Sequence, residues 1–304
     1  MSEIPGSEHW TTKHTESGEV RLFLWRKHGK DTSKGAILFV HGSSMASQPV
    51  FDLRIDGKDD YSVMDWFARR GYDTWCVDCE GYGRSDKSRP VNADVSCGAD
   101  DCAAASRYIL EETKENKLLV YGSSSGALRA GLFAQRHPER VRRLALDAFV
   151  WTGKGSPTLE ERRKKLAQFR ASNRRAIDRE FVRSIFTRDG HGDNTDPAVI
   201  EAFADQVLAL DSSVPTGTYV DMSANLPVVD PQKLVVPTLI MRGEWDGIAS
   251  MQDLIEFFAR LPNPEKQFTV MPGIAHSSLR SKNWQYVFHT LETFFSRPAP
   301  AHTG

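Results

Sequence analysis

Cysteine is scarce in this chain, long apolar runs are missing, and neither sign of charge predominates. The 304 residues include only four cysteines, Cys76, Cys79, Cys97 and Cys102. Cys76 and Cys79 have C-x-x-C spacing, but they fall in and just after an apolar run (WCVDC) that reads as a strand. No further Cys or His follows at zinc-finger distance, so the pair is expected to be ordinary reduced thiols and no metal site is expected. No segment approaches the roughly 18 consecutive apolar residues of a membrane span. The N-terminal MSEIPGSEHWTTKH has no apolar stretch of the kind a secretory signal carries. Together these set the expectation of a cytoplasmic protein. With a net charge of −1, no global field draws in nucleic acid or an anionic membrane, so a small molecule is the expected partner. Oligomeric state is left open.

What is present is the rhythm of an α/β protein. Hydrophobic residues make up 40% and charged residues 26% of the chain, as in a soluble globular domain. The length suits one large core with an inserted subdomain better than two full domains. Short apolar runs read as strands at AILFV (36–40), DTWCV (73–77), LLVY (118–121), LALDAFV (144–150), TLIM (238–241) and QFTVM (267–271). They are nearly continuous in hydrophobicity, as strands are when both faces of a parallel sheet are covered. Helix patterns lie between them at 63–70, 99–112 and 128–137, with Leu254, Ile255, Phe257, Phe258 and Leu261 forming one later face and Trp284, Val287, Phe288, Leu291 and Phe295 another. The alternation predicts a doubly wound, mostly parallel sheet. It breaks between residues 152 and 230, where no convincing strand is legible. A capping-box pattern at Thr158–Glu161 leads there into a long basic helix pattern, followed by a Gly/Asp-rich loop and a second helix pattern. The expected organisation is a core of residues 1–151 and 231–304 with a helical cap of 152–230 inserted in it.

The motif with the most chemistry is Gly122-Ser123-Ser124-Ser125-Gly126, directly after the strand LLVY and directly before the helix pattern ALRAGLFAQRH. A strand-to-helix turn this tight leaves no room for side chains on its flanks and holds the central Ser124 exposed above the sheet. Ser123 and Ser125 lack the flanking glycines. A serine hydroxyl needs a base, and His276, just after the last strand, is the candidate. A carboxylate must then fix that imidazole, and Asp246, after TLIM, is preferred over Asp147 at the end of LALDAFV. Of the other histidines, His137 ends a helix, His191 lies in the inserted loop, and His9, His14, His289 and His302 lie near the chain ends or on the last helix.

With FVHGSSM, VDCEGYGRSDKS, YGSSSG, MRGEWDG and PGIAHS occurring in that order, the chain resembles the α/β-hydrolase fold superfamily, in particular its cap-bearing esterases and carbon–carbon bond hydrolases. The resemblance spans nearly all of residues 20–296. It implies a Ser124–Asp246–His276 triad and an oxyanion hole from the backbone N–H groups of Ser43 and Ser125, with His41 structural. It departs from the family at Glu80, where arginine is usual, and at Ser250, where proline is common. A serine nucleophile argues against dehalogenase or epoxide hydrolase chemistry. Met45, Phe149, Trp151 and Trp245 are expected to line a mostly apolar pocket. Residues 160–190 carry ten Lys/Arg against five Asp/Glu, which reads either as a solvated helix face or as steering for a carboxylate-bearing substrate. The implied activity is cofactor-free cleavage of a carboxylic ester or lactone. Carbon–carbon bond hydrolysis by the same triad is the alternative, and a ligand receptor reusing the fold is the reading from another class.

Overall fold

Strands without polar alternation need cover on both faces, and every residue of the strands at 36–40, 73–77 and 118–123 is buried. The computed structural model describes residues 4–58 and 61–301. Its strands are β1 (Gly6–Thr15), β2 (Gly18–His28), β3 (Ala36–Val40), β4 (Asp73–Val77), β5 (Leu118–Ser123), β6 (Val141–Asp147), β7 (Arg174–Ala176), β8 (Ser213–Pro215), β9 (Thr238–Gly243) and β10 (Lys266–Met271). Eight of them form one sheet in the order β1-β2-β4-β3-β5-β6-β9-β10. It is parallel from β4 through β10 and antiparallel where β1 meets β2 and β2 meets β4.

Helices α1 (Ser47–Phe51), α2 (Val63–Ala68), α3 (Val95–Thr113) and α4 (Ser125–Arg136) precede the insertion, and α10 (Met251–Arg260) and α11 (Trp284–Phe295) follow it. Between β6 and β9 lie α5 (Pro157–Arg163), α6 (Leu166–Ala171), α7 (Arg179–Thr187), α8 (Pro197–Leu210) and α9 (Gly217–Val220). Among the described residues no helix is long and apolar enough to cross a membrane.

Three sequence-based expectations need correction. The β1–β2 hairpin is absent from the sequence reading because β1, GSEHWTTKHT, is polar throughout. Pairing with β2, the side chain of Lys13 and the packing of Trp10 on Phe23 hold it in place. The long basic helix is broken. Ser172 turns its hydroxyl onto the Arg174 carbonyl, and Asp178 caps a new helix by accepting from the Phe181 N–H. Between these two local bonds the chain runs as β7, paired antiparallel with β8, so the insertion does contain a small sheet. Helix α5 starts two residues earlier than the capping-box reading, with Ser156 as its cap and Pro157 in its first turn.

Glu80 also finds its explanation here. It is 2% exposed and accepts from Lys13 Nζ at 2.8 Å and from Arg89 at 2.7 and 2.9 Å. Burial pushes its carboxyl up, but Arg89 and Lys13 outweigh that and hold it at about 2. The same ammonium lies 2.5 Å from Asp101 and 3.3 Å from Cys97 Sγ. Glu80, Cys97 and Asp101 have their donor atoms close enough to ligate a cation, and Lys13 already supplies a positive charge to all three. At Ser250 the hydroxyl accepts from the Asp253 N–H and caps α10, a place proline cannot fill in that way.

Removing one partner of a buried ion network leaves uncompensated charge. Lys13→Met is therefore expected to lower the unfolding free energy by about 3 kcal/mol or more, measured by urea denaturation. A loss within about 0.5 kcal/mol, typical of a surface change, would contradict the role given to Lys13.

Candidate active site

The turn from β5 into α4 is completed within one residue. Ser124 adopts φ 58° and ψ −124°, a conformation side-chain-bearing residues rarely take. Both flanking glycines are steric necessities. A Cβ on Gly122 would lie 2.3 Å from the Gly126 carbonyl oxygen, and one on Gly126 would lie 2.2 Å from that of Val40. The Ser124 N–H donates to the Asp147 carbonyl at 2.9 Å, and its own carbonyl accepts from Ala127 at 2.9 Å, so the turn is fastened on both sides.

Three loops at the carboxyl ends of β5, β9 and β10 bring Ser124, Asp246 and His276 together. Ser124 Oγ is 3.0 Å from His276 Nε2, and His276 Nδ1 is 2.9 Å from Asp246 Oδ1. That oxygen also accepts from the Ile248 N–H at 2.8 Å. Burial opposes ionisation of Asp246. The charge and hydrogen bond of His276, together with Ile248 and Arg188, nevertheless hold its carboxyl below the usual range, so it is a carboxylate at neutral pH. Asp147 is elsewhere engaged, accepting from Tyr121 Oη at 2.5 Å and from Ser278 Oγ. Burial pushes it up to about 6.

The loop after β3 arches over Ser124, with Gly42 so close that an added Cβ would lie 3.9 Å from the serine oxygen. The buried His41 holds its orientation. The Cys79 N–H donates to His41 Nε2 at 3.0 Å, so Nδ1 carries the proton and donates to the Gly42 carbonyl at 2.8 Å. Burial, and then Arg129, push His41 down to about 3, and the ring stays neutral. In a trans peptide the Ser43 N–H points opposite the Gly42 carbonyl, away from His41. Ser125 is the first residue of α4, where an amide has no acceptor within the helix. The Ser43 and Ser125 hydroxyls bond each other at 2.6 Å, which fixes these two segments side by side.

The cavity around Ser124 and His276 is small, with a volume of about 40 Å³. Of the expected pocket residues, only Met45 lines it. Phe149 is wholly buried against Phe257 at 4.7 Å. Trp151 is tied down through its N–H to Asp253 and its indole to the Val229 carbonyl. Both lie where the chain leaving β6 still packs on α10 and belongs to the core. Trp245 stacks on His191 at 3.9 Å, outside the cavity lining. The lining also carries polar groups that the expectation of a mostly apolar pocket did not include. Arg162, Arg188 and Tyr219 from the insertion, with Arg280 from the core, stand beside Met45, Val50 and Ile185.

Sequence reasoning missed these four polar residues individually, although Arg162 and Arg188 belong to the basic excess it noted. Arg175, also in that stretch, donates to the Ser43 carbonyl at 3.1 Å and to Ser44 Oγ at 2.8 Å. The insertion thereby grips the loop beside Ser124. Tyr219 is 3.4 Å from Ser44 Oγ, with the guanidinium groups of Arg162 and Arg175 over its ring at 4.3 and 4.1 Å. Burial alone would push the phenol up, but these two cations, with Ser44 and Arg188, bring it down to about 7.

Residues 31–283 match the model of the Hydrolase_4 family, described as serine aminopeptidase S33, and the chain belongs to that family. Among curated proteins it is 22% identical to the uncharacterised protein YnbC of Escherichia coli over 304 residues, 97% of this chain and 48% of that protein. It is 32% identical over 160 residues to a 2-hydroxy-6-oxononadienedioate/2-hydroxy-6-oxononatrienedioate hydrolase of Burkholderia vietnamiensis, half of this chain and 48% of that protein. The chain thus spans about half the length of the curated relatives it matches. Among solved structures, an esterase of Thermogutta terrifontis superposes with a TM-score of 0.70 at 20% identity, covering 95% of this chain and all of that one. An E-2-(acetamidomethylene)succinate hydrolase does so at 0.66 and 19%, with the same coverage. The fold is that of the α/β-hydrolases.

Burial pushes Tyr72, Tyr82, Tyr108 and Tyr121 up, so a tyrosinate absorbance step close to neutral pH isolates Tyr219. A spectrophotometric titration is expected to show one such step near pH 7. Tyr219→Phe should remove it, and a step that survives this substitution would refute the assignment.

Proposed function

We propose that the chain is a serine hydrolase that cleaves a carboxylic ester, with a lactone as a cyclic variant, through an acyl-enzyme on Ser124. The observation that carries this reading is the continuous hydrogen-bonded path from Ser124 Oγ through His276 to the ionised Asp246, at a serine held in a strained turn. Ser124 Oγ attacks the ester carbonyl while His276 Nε2 takes its proton, and Asp246 stabilises the resulting imidazolium. The Ser43 and Ser125 amides receive the negative charge that develops on the carbonyl oxygen. Collapse returns the proton to the departing alkoxide, releasing an alcohol. Water, deprotonated by the same histidine, then attacks the acyl-enzyme and frees the acid. Met45, Val50 and Ile185 offer apolar walls for a small acyl or alcohol group. In this reading residues 152–230 form the lid of the site.

Carbon–carbon bond hydrolysis by the same residues is the second reading. It is favoured by the Burkholderia relative, which matches half of this chain, and by the guanidinium groups facing the cavity.

Ser124→Ala is expected to abolish labelling by a fluorophosphonate probe and turnover of p-nitrophenyl esters while leaving the circular dichroism spectrum unchanged. Asp246→Asn should lower kcat by about a thousandfold or more, because the histidine loses both its orientation and its counter-charge. Near-full activity in either variant would sink the assignment. A panel of p-nitrophenyl esters, lactones and vinylogous diketo acids separates the two readings by which class turns over.

A further inference from the structure

The cations of the insertion differ in how they are partnered, and Lys165 and Arg170 are simply exposed. On its outer surface Arg179 and Arg183 are paired with Glu201 at 2.9 and 2.7 Å, and Lys164 with Glu161 at 2.5 Å. Arg163, Arg174 and Arg175 donate to backbone carbonyls. Arg162 has neither arrangement, and Arg188 has only a long ion pair. Among the described residues, Arg162 donates only to the thioether sulfur of Met222, at a long 3.9 Å. Arg188 Nε has no hydrogen-bond acceptor, and the carboxylate paired with it, Asp189, is 3.8 Å away. Asp189 itself accepts from the His276 N–H.

Both arginines face the cavity that contains Ser124 and His276. Both, with Tyr219, also border the larger cleft between α5, α6 and α7. They therefore stand at the neck between an inner chamber and an outer one. Holding a guanidinium inside a protein without an anion is unfavourable. Burial pushes Arg162 down to about 10, which leaves it charged at neutral pH with no carboxylate in contact with it. Arg280 is different. Its donors are used on Ser277 Oγ and the Val50 carbonyl, so it forms part of the chamber floor.

We propose that Arg162 and Arg188 form a receptor for a substrate carboxylate, so that the ester this site cleaves belongs to a short molecule carrying a second, free carboxyl group. The inference rests on Ser124 being the nucleophile, and it adds the substrate class. Two planar donors at one neck suit a planar, two-oxygen anion. The small inner chamber keeps that anion within a few bonds of the reacting carbonyl. Tyr219, stacked under Arg162, then acts as a reporter. An anion on Arg162 and Arg188 offsets part of the positive field that favours the phenolate, and so raises the pH at which Tyr219 ionises.

The test compares the p-nitrophenyl esters of butyrate and of hemisuccinate, nearly equal in size and different in charge, in the wild type, Arg162→Met and Arg188→Met. The wild type should favour the hemisuccinate in kcat/KM, and each variant should lower the hemisuccinate-to-butyrate ratio of kcat/KM by about tenfold or more. Succinate should inhibit butyrate hydrolysis competitively, with an inhibition constant raised about tenfold in each variant. Succinate should also move the Tyr219 titration upward in the wild type and in Ser124→Ala, which separates failure of the anion receptor from failure of the nucleophile assignment. Equal losses on both esters, or inhibition and Tyr219 titration indifferent to succinate and to the arginines, would overturn the proposal.

Discussion

Everything at this site depends on one strained residue. β5 has to end and α4 to begin within Ser124, and the backbone meets that demand with a positive φ. A non-glycine residue in such a region costs on the order of 1–3 kcal/mol. The conformation persists because its neighbours over-determine it. Asp147 and Ala127 hold its two peptide groups, and Gly126 lies so tightly under Val40 and His41 that no side chain fits there. That close approach also sets the position of the loop after β3. If the first turn of α4 moved outward by a methyl group, the loop carrying Gly42 and Ser43 would have to move with it.

Around this turn the protein uses groups whose charge state is fixed. His41 is kept neutral by burial and by the N–H it accepts from Cys79, and it orients a peptide bond without carrying a proton anywhere. Arg129, fully buried, donates to the His41 carbonyl at 3.1 Å and to Tyr82 Oη at 3.3 Å, and Tyr82 in turn donates to the Ser43 carbonyl at 3.0 Å. Asp78, also buried, accepts from the Ser47 N–H and hydroxyl at 2.7 and 2.6 Å and anchors the far end of the same loop. A rigid polar scaffold of this kind suits the proposed proton path from Ser124 through His276 to Asp246. The fixed amides beside it then need no reorganisation when charge develops.

The core of this arrangement was legible in the sequence because its determinants are local. Gly-x-Ser-x-Gly between a buried strand and an amphipathic helix is a steric statement about five adjacent residues. The continuous apolar strands reveal a covered sheet in the same way. The β1–β2 hairpin was not legible, since a polar strand such as GSEHWTTKHT owes its place to a partner strand and to a lysine whose two carboxylates lie 67 and 88 residues away. The pocket was misread for a similar reason. Phe149 and Trp151 are apolar and close to the site in sequence, but the direction in which the chain leaves β6 turns both into the core. Apolar character marks what is buried and does not separate core from cavity wall.

The insertion shows the same limit most clearly. A window over residues 160–190 counts ten cations and five anions, yet that excess has no single meaning. The break at Ser172 starts a three-residue strand, and successive residues of a strand point to opposite faces. Arg174 accordingly reaches the carbonyls of Gly81 and Ser213, while Arg175 reaches Ser43 and Ser44 over the nucleophile. A slip of one residue in the pairing of β7 with β8 would exchange their roles without changing the composition at all. The helical arginines divide in a comparable way, with Arg179 and Arg183 turned to Glu201 and Arg188, in the cap position of the same α7, turned to the cavity. The phase of short helices and the register of a three-residue strand therefore decide which part of an ordinary basic segment becomes surface, which part bonds the loop after β3, and which part faces the cavity around Ser124.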